Sequence, residues 1–316
     1  MKKAIVISLT LISLIIILVF VTASKLVLNT ENNHSNNQAL PKSVYSYWKN
    51  NKAEISSYDL KQVRYGEIRE GKAVMIFVTE PFLTNSQVKY DGIKTDETRA
   101  EVLKLNFERY FTTGIYPYSM MTSVFTPFNA NPDHPYKITT SSQDWCGHTF
   151  LQLNNRENNF EVSSYSYFQQ FGDQNIKLDK AILEDEIWNK IKLDLNSLPI
   201  GEIEIIPSTQ YLRFAHLEPK AFNAKAELTS QLDDETNSEV YVYRVEYLNL
   251  ERTFEISFEK ELPHKILGWK ETYYPLIFDG EKRLMTTEAK LKKTINIDYW
   301  NKNSNADSGY RKELGL

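Results

Sequence analysis

Alternation of apolar and polar residues with a period of two runs through most of this chain, and it limits the fold more than any other feature. Val240-Tyr241-Val242-Tyr243-Arg244-Val245-Glu246-Tyr247 and residues 253–259 (TFEISFE) are the clearest cases, joined by a short link at Asn249. Successive side chains of a strand point to opposite faces, so such runs fold as strands with one buried side. Residues 101–111 repeat the pattern, with Leu103, Leu105 and Phe107 set against Lys104, Asn106 and Glu108. Residues 72–80 (KAVMIFVTE) are a continuous β-prone run, as expected of a strand buried on both faces. Gly66 and Gly71 bracket a turn-rich link before it, which predicts a hairpin with the preceding segment. A second hairpin is predicted where residues 149–153 and 160–167 flank the polar turn 154–159. Residues 265–273 and 283–297 add further strands.

A period of 3.6 is clear in one place only. Residues 178–195 set Ile182, Leu183, Ile187, Trp188, Ile191 and Leu195 near one helical face, with Asp185, Glu186, Lys190 and Lys192 mostly elsewhere. Pro199 and Gly201 end the segment, and Glu184-Asp185-Glu186 reads as its solvated face. The expectation is a mainly β to α+β fold. It takes the form of one large curved antiparallel sheet or half-open barrel with one central amphipathic helix. No parallel βαβ rhythm and no internal repeat is visible.

The first residues have a different character. Lys2 and Lys3 precede an apolar stretch, residues 4–23, interrupted only by Ser8, Thr10, Ser13 and Thr22. A basic start, an apolar segment and the small-ended Val21-Thr22-Ala23 describe an export signal, with cleavage after Ala23. The stretch is also long enough to be kept as a membrane-spanning helix, in which case the leading lysines leave the rest of the chain outside. Residues 1–28 are thus expected to be a signal peptide or N-terminal anchor, 29–43 a polar tether, and 44–316 a β-rich extracytoplasmic domain. Its expected partner is the cell membrane, through that N-terminal segment. The expected location is the periplasmic side of the inner membrane, or the periplasm and cell envelope after cleavage. The formal charge of −4 carries no block of lysine or arginine, which argues against nucleic acid as a partner. A single cysteine excludes an intrachain disulfide, so the core alone must hold the fold.

Two segments carry residues suited to chemistry. Residues 139–150 (TTSSQDWCGHTF) hold the one cysteine, Cys146, with Asp144 two positions before and His148 two after. On a strand all three would share a side, which suits a thiolate nucleophile with an imidazole base, or the start of a metal site. The competing reading is a buried cysteine in the sheet, beside a glycine that relieves crowding and a tryptophan in the core. Further ligands for a metal are not evident, because His34, His134, His216 and His264 are scattered, and no cofactor is expected. The second segment, residues 112–128, is rich in aromatics and methionine. Tyr116, Tyr118, Met120 and Met121 are its candidates for lining an apolar pocket.

The runs YGEIREGKAVMIFVTEPF, LKLNFERYFTTGIYPYSMMTSVFTPF, TTSSQDWCGHTF and ILGWKETY together resemble a family of uncharacterised exported proteins of Bacteroidota-type bacteria, over almost the whole body. That resemblance implies export and no particular activity. Some members of the family have been labelled septum formation inhibitor Maf. The N-terminal phosphate-binding motif of true Maf pyrophosphatases has no counterpart in these residues. The functional expectation is a non-enzymatic envelope protein that binds an apolar or amphipathic ligand, a lipid among them, or a protein partner. The alternatives are a cysteine-dependent hydrolase or transferase using Cys146 and His148, and a metal-binding protein.

Overall fold

The alternating segments become strands whose inward residues meet in one core. The computed structural model describes residues 39–233, 237–277 and 280–316, all within a single unit, Ala39–Leu316. The expected export segment, and the tether up to residue 38, lie outside the described residues. Among the described residues no helix is long and apolar enough to cross a membrane. Leu40 and Val44 are buried, so packing begins within a few residues of the first described position.

A short helix, α1 (Lys42–Trp48), leads into β1 (Ala53–Arg64) and β2 (Glu67–Leu83). The chain then meanders through β3 (Val88–Lys89), β4 (Arg99–Thr113), β5 (Tyr116–Pro127), β6 (Lys137–Asp144), β7 (Gly147–Asn155), β8 (Phe160–Ser166) and β9 (Gln174–Leu178). Next come β10 (Ile182–Leu183), α2 (Ile187–Leu193), β11 (Gly201–Ile206) and α3 (Thr209–Ala215). A second meander follows in β12 (Phe222–Leu232), β13 (Glu239–Tyr247), β14 (Arg252–Glu259), β15 (Ile266–Tyr273) and β16 (Met285–Ile297), and α4 (Gly309–Glu313) ends the chain.

Among the described residues, all the strands belong to one 16-stranded sheet, in which β16 pairs with β1 and joins the two meanders. The edges are β9 and β10, which are not hydrogen-bonded to each other, so the sheet is not closed. Only residues 179–181 separate them in the chain. Four residue steps reach at most about 14 Å, so the sheet must curl until its two edges nearly meet. Curvature has local causes. Register shifts at Ser57/Tyr58 and Ser257/Phe258 bend β1 and β14. Gly71 and Gly268 sit where a Cβ would come within 2.3 Å of the Tyr110 and Ala289 carbonyl oxygens, closeness that only glycine allows. Gly71 therefore lies inside β2, paired with Leu60 and Phe111, and the hairpin turn is Tyr65-Gly66 alone.

The predicted helix of residues 178–195 is cut down to the seven residues of α2, after a 3-10 turn at Glu184–Glu186. It lies inside the curl rather than on it. Trp188 packs edge-on against Phe107, Phe254 and Trp269 at 5.4–5.7 Å. The expected solvated face is a second correction: Glu184, Asp185, Glu186, Lys190 and Lys192 are all buried. Each has a partner from a distant strand, helix or loop of the chain. Glu184 takes a bidentate interaction from Arg252 and a hydrogen bond from the Tyr247 hydroxyl. Lys192 donates to Glu54 at 2.6 Å, and Lys190 donates to the Pro132 carbonyl at 2.7 Å. Buried charge is tolerated only when paired and hydrogen-bonded, and removing one partner costs about 3–5 kcal/mol. A third correction concerns rhythm: β10 and β11, on either side of α2, form a parallel pair at Ile182↔Ile205.

Candidate ligand-binding cleft

Asp144, Cys146 and His148 surround the β6–β7 hairpin turn, in which Trp145 and Cys146 are the two loop residues. The Cys146 backbone N–H donates to Asp144 Oδ1 at 2.6 Å, an Asx-type turn closed by Gly147 at φ 150°. Strand periodicity does not run through a turn, so the shared face assumed for the three side chains does not form. Cys146 is exposed and Trp145 is 69% exposed, which overturns the buried cysteine and core tryptophan. The thiol is pushed up, first by desolvation and then by the Asp144 carboxylate, the opposite of an activated thiolate. Among the described residues no three His, Cys, Asp or Glu side chains are grouped to hold a metal.

The four pocket candidates lie on β5. Tyr118 and Met120 are buried and Met121 is exposed. Tyr118 stacks on Phe111 at 4.8 Å and meets Phe214 of α3 at 6.4 Å, while Tyr116 packs at its edge. Tyr118 and Met120, with Tyr116 beside them, pack on Phe214 and hold α3 against the sheet, and none of the four candidates lines the cleft beside that helix.

That cleft, about 80 Å³, lies between the concave face of β6–β9 and α3 with the loop that follows it. Strand register builds its far wall. The pairs Thr140↔Leu151, Leu151↔Ser164 and Val162↔Ile176 put these residues on one face. Leu151, Val162 and Ile176 make the apolar part, while Thr149, Ser164 and Ser166 set hydroxyls on the lining. The near wall is Leu212, Arg213, His216 and Leu217. Ser208 caps α3 by accepting from the Tyr211 N–H at 3.2 Å. His216 ends the helix in the left-handed conformation (φ 54°), and the Leu217 N–H returns to the Leu212 carbonyl at 3.0 Å. A chain of hydroxyls bolts the helix to the sheet. Thr209 bonds Thr140 at 2.5 Å, Thr140 bonds Thr122 at 2.8 Å, and Gln210 Nε2 donates to Thr122 at 3.0 Å.

The cationic side of the cleft is unusual. The Arg213 guanidinium lies over the Phe168 ring at 4.8 Å, meets His216 Nε2 at 3.3 Å, and its buried Nε has no partner. Burial, then the charges of Arg213 and Arg64, hold the His216 pKa below the usual imidazole range. The ring is therefore neutral near pH 7, and Nε2 accepts from Arg213.

No family model matches the chain, and no curated protein does. Among solved structures, a beta-barrel-like protein of domain of unknown function DUF1849 from Brucella abortus aligns over 83% of this chain and 99% of its own, at TM-score 0.38 and 9% identity. Such a likeness is remote, and it assigns no function. Neither Arg213 nor α3 stands out in the sequence, where His216 is only one scattered histidine. The available signal was Pro207-Ser208 before an apolar-periodic run, on a segment too short for periodicity to stand out.

Proposed function

We propose that this is a non-catalytic binding protein of the cell envelope, and that an amphipathic ligand occupies the cleft between β6–β9 and α3. The observation that carries this reading is the composition of the cleft, apolar on Leu151, Val162, Ile176, Leu212 and Leu217, with hydroxyls and a guanidinium on the same lining. Binding sites for small amphiphiles share that makeup, a mostly apolar concavity with a few placed polar groups. The enclosed volume is below the roughly 150 Å³ that admits benzene to an apolar cavity, so it suits one end of a ligand, the remainder lying in the open groove. The envelope setting is part of the proposal, and it rests on the residue 1–23 export segment and on the family resemblance.

Titration with the fluorescent apolar probe N-phenyl-1-naphthylamine tests the cleft. One probe is expected to bind per protein, and Ile176→Trp, which fills the apolar end, is expected to abolish binding while the circular dichroism spectrum is retained. Undiminished probe binding in the folded variant would count against the cleft.

A further inference from the structure

Four arginines are drawn into the interior of the curl or to its rim, and they fall into two classes. Arg109 and Arg252 are fully buried and neutralised: Arg109 donates to Glu271 at 2.6 Å, and Arg252 is shared between Glu184 and Glu271. The buried lysine Lys192 likewise has Glu54. Arg64 and Arg213 differ. Arg64 is 4% exposed, and its guanidinium donates to the Phe214 carbonyl at 3.1 Å, to Tyr65 Oη at 3.0 Å and to Tyr118 Oη at 3.4 Å. All three acceptors are neutral. Half-buried Arg213 has a ring beneath it and a neutral imidazole beside it. Among the described residues, neither guanidinium has a carboxylate within ion-pair distance, which is what separates them, since a buried Nε without a partner is common to all four arginines. They are also close enough that the charge of Arg64, after burial, pushes the Arg213 pKa down. Asp144, held to the β6–β7 turn by its bond to the Cys146 N–H, is felt by Arg213 without pairing with it. Glu218 stands exposed on the cleft lining.

Two like charges withdrawn from water beside one another are unfavourable unless an anion joins them. Everywhere else in this interior the chain supplies that anion itself. We infer that at the cleft it comes from the ligand, whose carboxylate or phosphate-type headgroup sits on Arg213 beside His216 while its apolar chain lies on Leu151, Val162 and Ile176. A guanidinium is the residue of choice for such a group, because its fork matches the paired oxygens of a carboxylate or phosphate. The ligand class is therefore an anionic amphiphile. This rests on the cleft reading above and adds the charge of what binds there.

The test compares dodecanoate, dodecanol and inorganic phosphate on the full chain by calorimetric titration at pH 7. Dodecanoate is expected to bind about tenfold more tightly than dodecanol, the difference worth one charge-assisted hydrogen-bonded contact. Arg213→Gln is expected to bring dodecanoate down to the affinity of dodecanol, and Arg213→Lys to keep part of the preference. In the unaltered protein, an NMR titration is expected to show the His216 pKa rising when dodecanoate is added, because a bound anion favours imidazolium. Equal affinities for dodecanoate and dodecanol overturn the anion site and leave the cleft. A preference that survives in Arg213→Gln also overturns it. Phosphate that moves His216 while neither alkyl chain binds supports the anion site and sinks the cleft. No binding by any of the three sinks both.

Discussion

Asp185 condenses the physics of this interior into one side chain. It is 4% exposed, and its Oδ2 accepts from both the backbone N–H and the hydroxyl of Thr209, at 2.9 and 2.8 Å. Burial outweighs those two bonds and, with a further push from Glu184, raises its pKa to about 6. A carboxyl whose folded pKa lies above its unfolded value holds its proton more tightly when folded. The stability it contributes is complete below the unfolded value near 4 and is lost as pH rises through about 6. Glu271, held below the usual range by Arg109 and Arg252 against the opposing effect of burial, has the opposite dependence. A difference between two variants isolates Asp185. Asp185→Asn keeps an acceptor for Thr209 and removes the titration. Urea denaturation is expected to show the variant gaining on the parent protein by about 3 kcal/mol between pH 4 and pH 7. A difference that stays constant with pH would rule this account out.

At the scale of elements, α3 matters more than its seven residues suggest. It is too short to be stable alone, so its position comes from its contacts. Those are the Ser208 cap, the Thr209–Thr140–Thr122 hydroxyl chain, and Phe214 against Phe111 and Tyr118. Thr209→Val keeps the shape and removes the hydroxyl from both Asp185 and Thr140. The expected loss is about 1–3 kcal/mol by denaturation, because buried acceptors are left unmet. A weaker affinity for the naphthylamine probe is expected alongside, since α3 is the near wall of the cleft. A stability loss with unchanged probe affinity would show that the wall does not depend on this bolt.

Across the whole molecule, stability should grade from the joined meanders to the unclosed edges. β1, β2 and β4 lie in the middle of the sheet order, with Leu60, Ala73, Met75, Leu103 and Leu105 fully buried. β9 is a five-residue edge strand with no residue fully buried. Amide hydrogen exchange is expected to be slowest in β1, β2 and β4 and fastest, among the strands, in β9. Equal protection along the sheet would mean that β9 and β10 are sealed in solution.

Much of this was readable beforehand, because strand periodicity is a local property. Leu103, Leu105 and Phe107 point inward because neighbours alternate, and the 154–159 turn reverses the chain through its own polar residues. The β1–β2 and β7–β8 hairpins and the linked β13 and β14 follow from such signals, as does a mainly β architecture with a helix at its centre. Which side of that helix faces solvent is not local. Glu184, Asp185 and Glu186 look like a wet face until Arg252, Thr209 and His134 arrive from distant parts of the chain to meet them. The exposure of Cys146 escapes the strand pattern for the converse reason, since the Asp144 turn overrides the alternation on either side. The chain by itself determined its most regularly alternating strands, the hairpins at residues 65–66 and 154–159, and the need for a disulfide-free core. Only the tertiary structure decided that the sheet curls around a charged helix, and that Arg213 stands on a cleft, near Arg64, without a paired carboxylate. Burial and charge pairing depend on residues far apart in sequence, and no period along the chain encodes them.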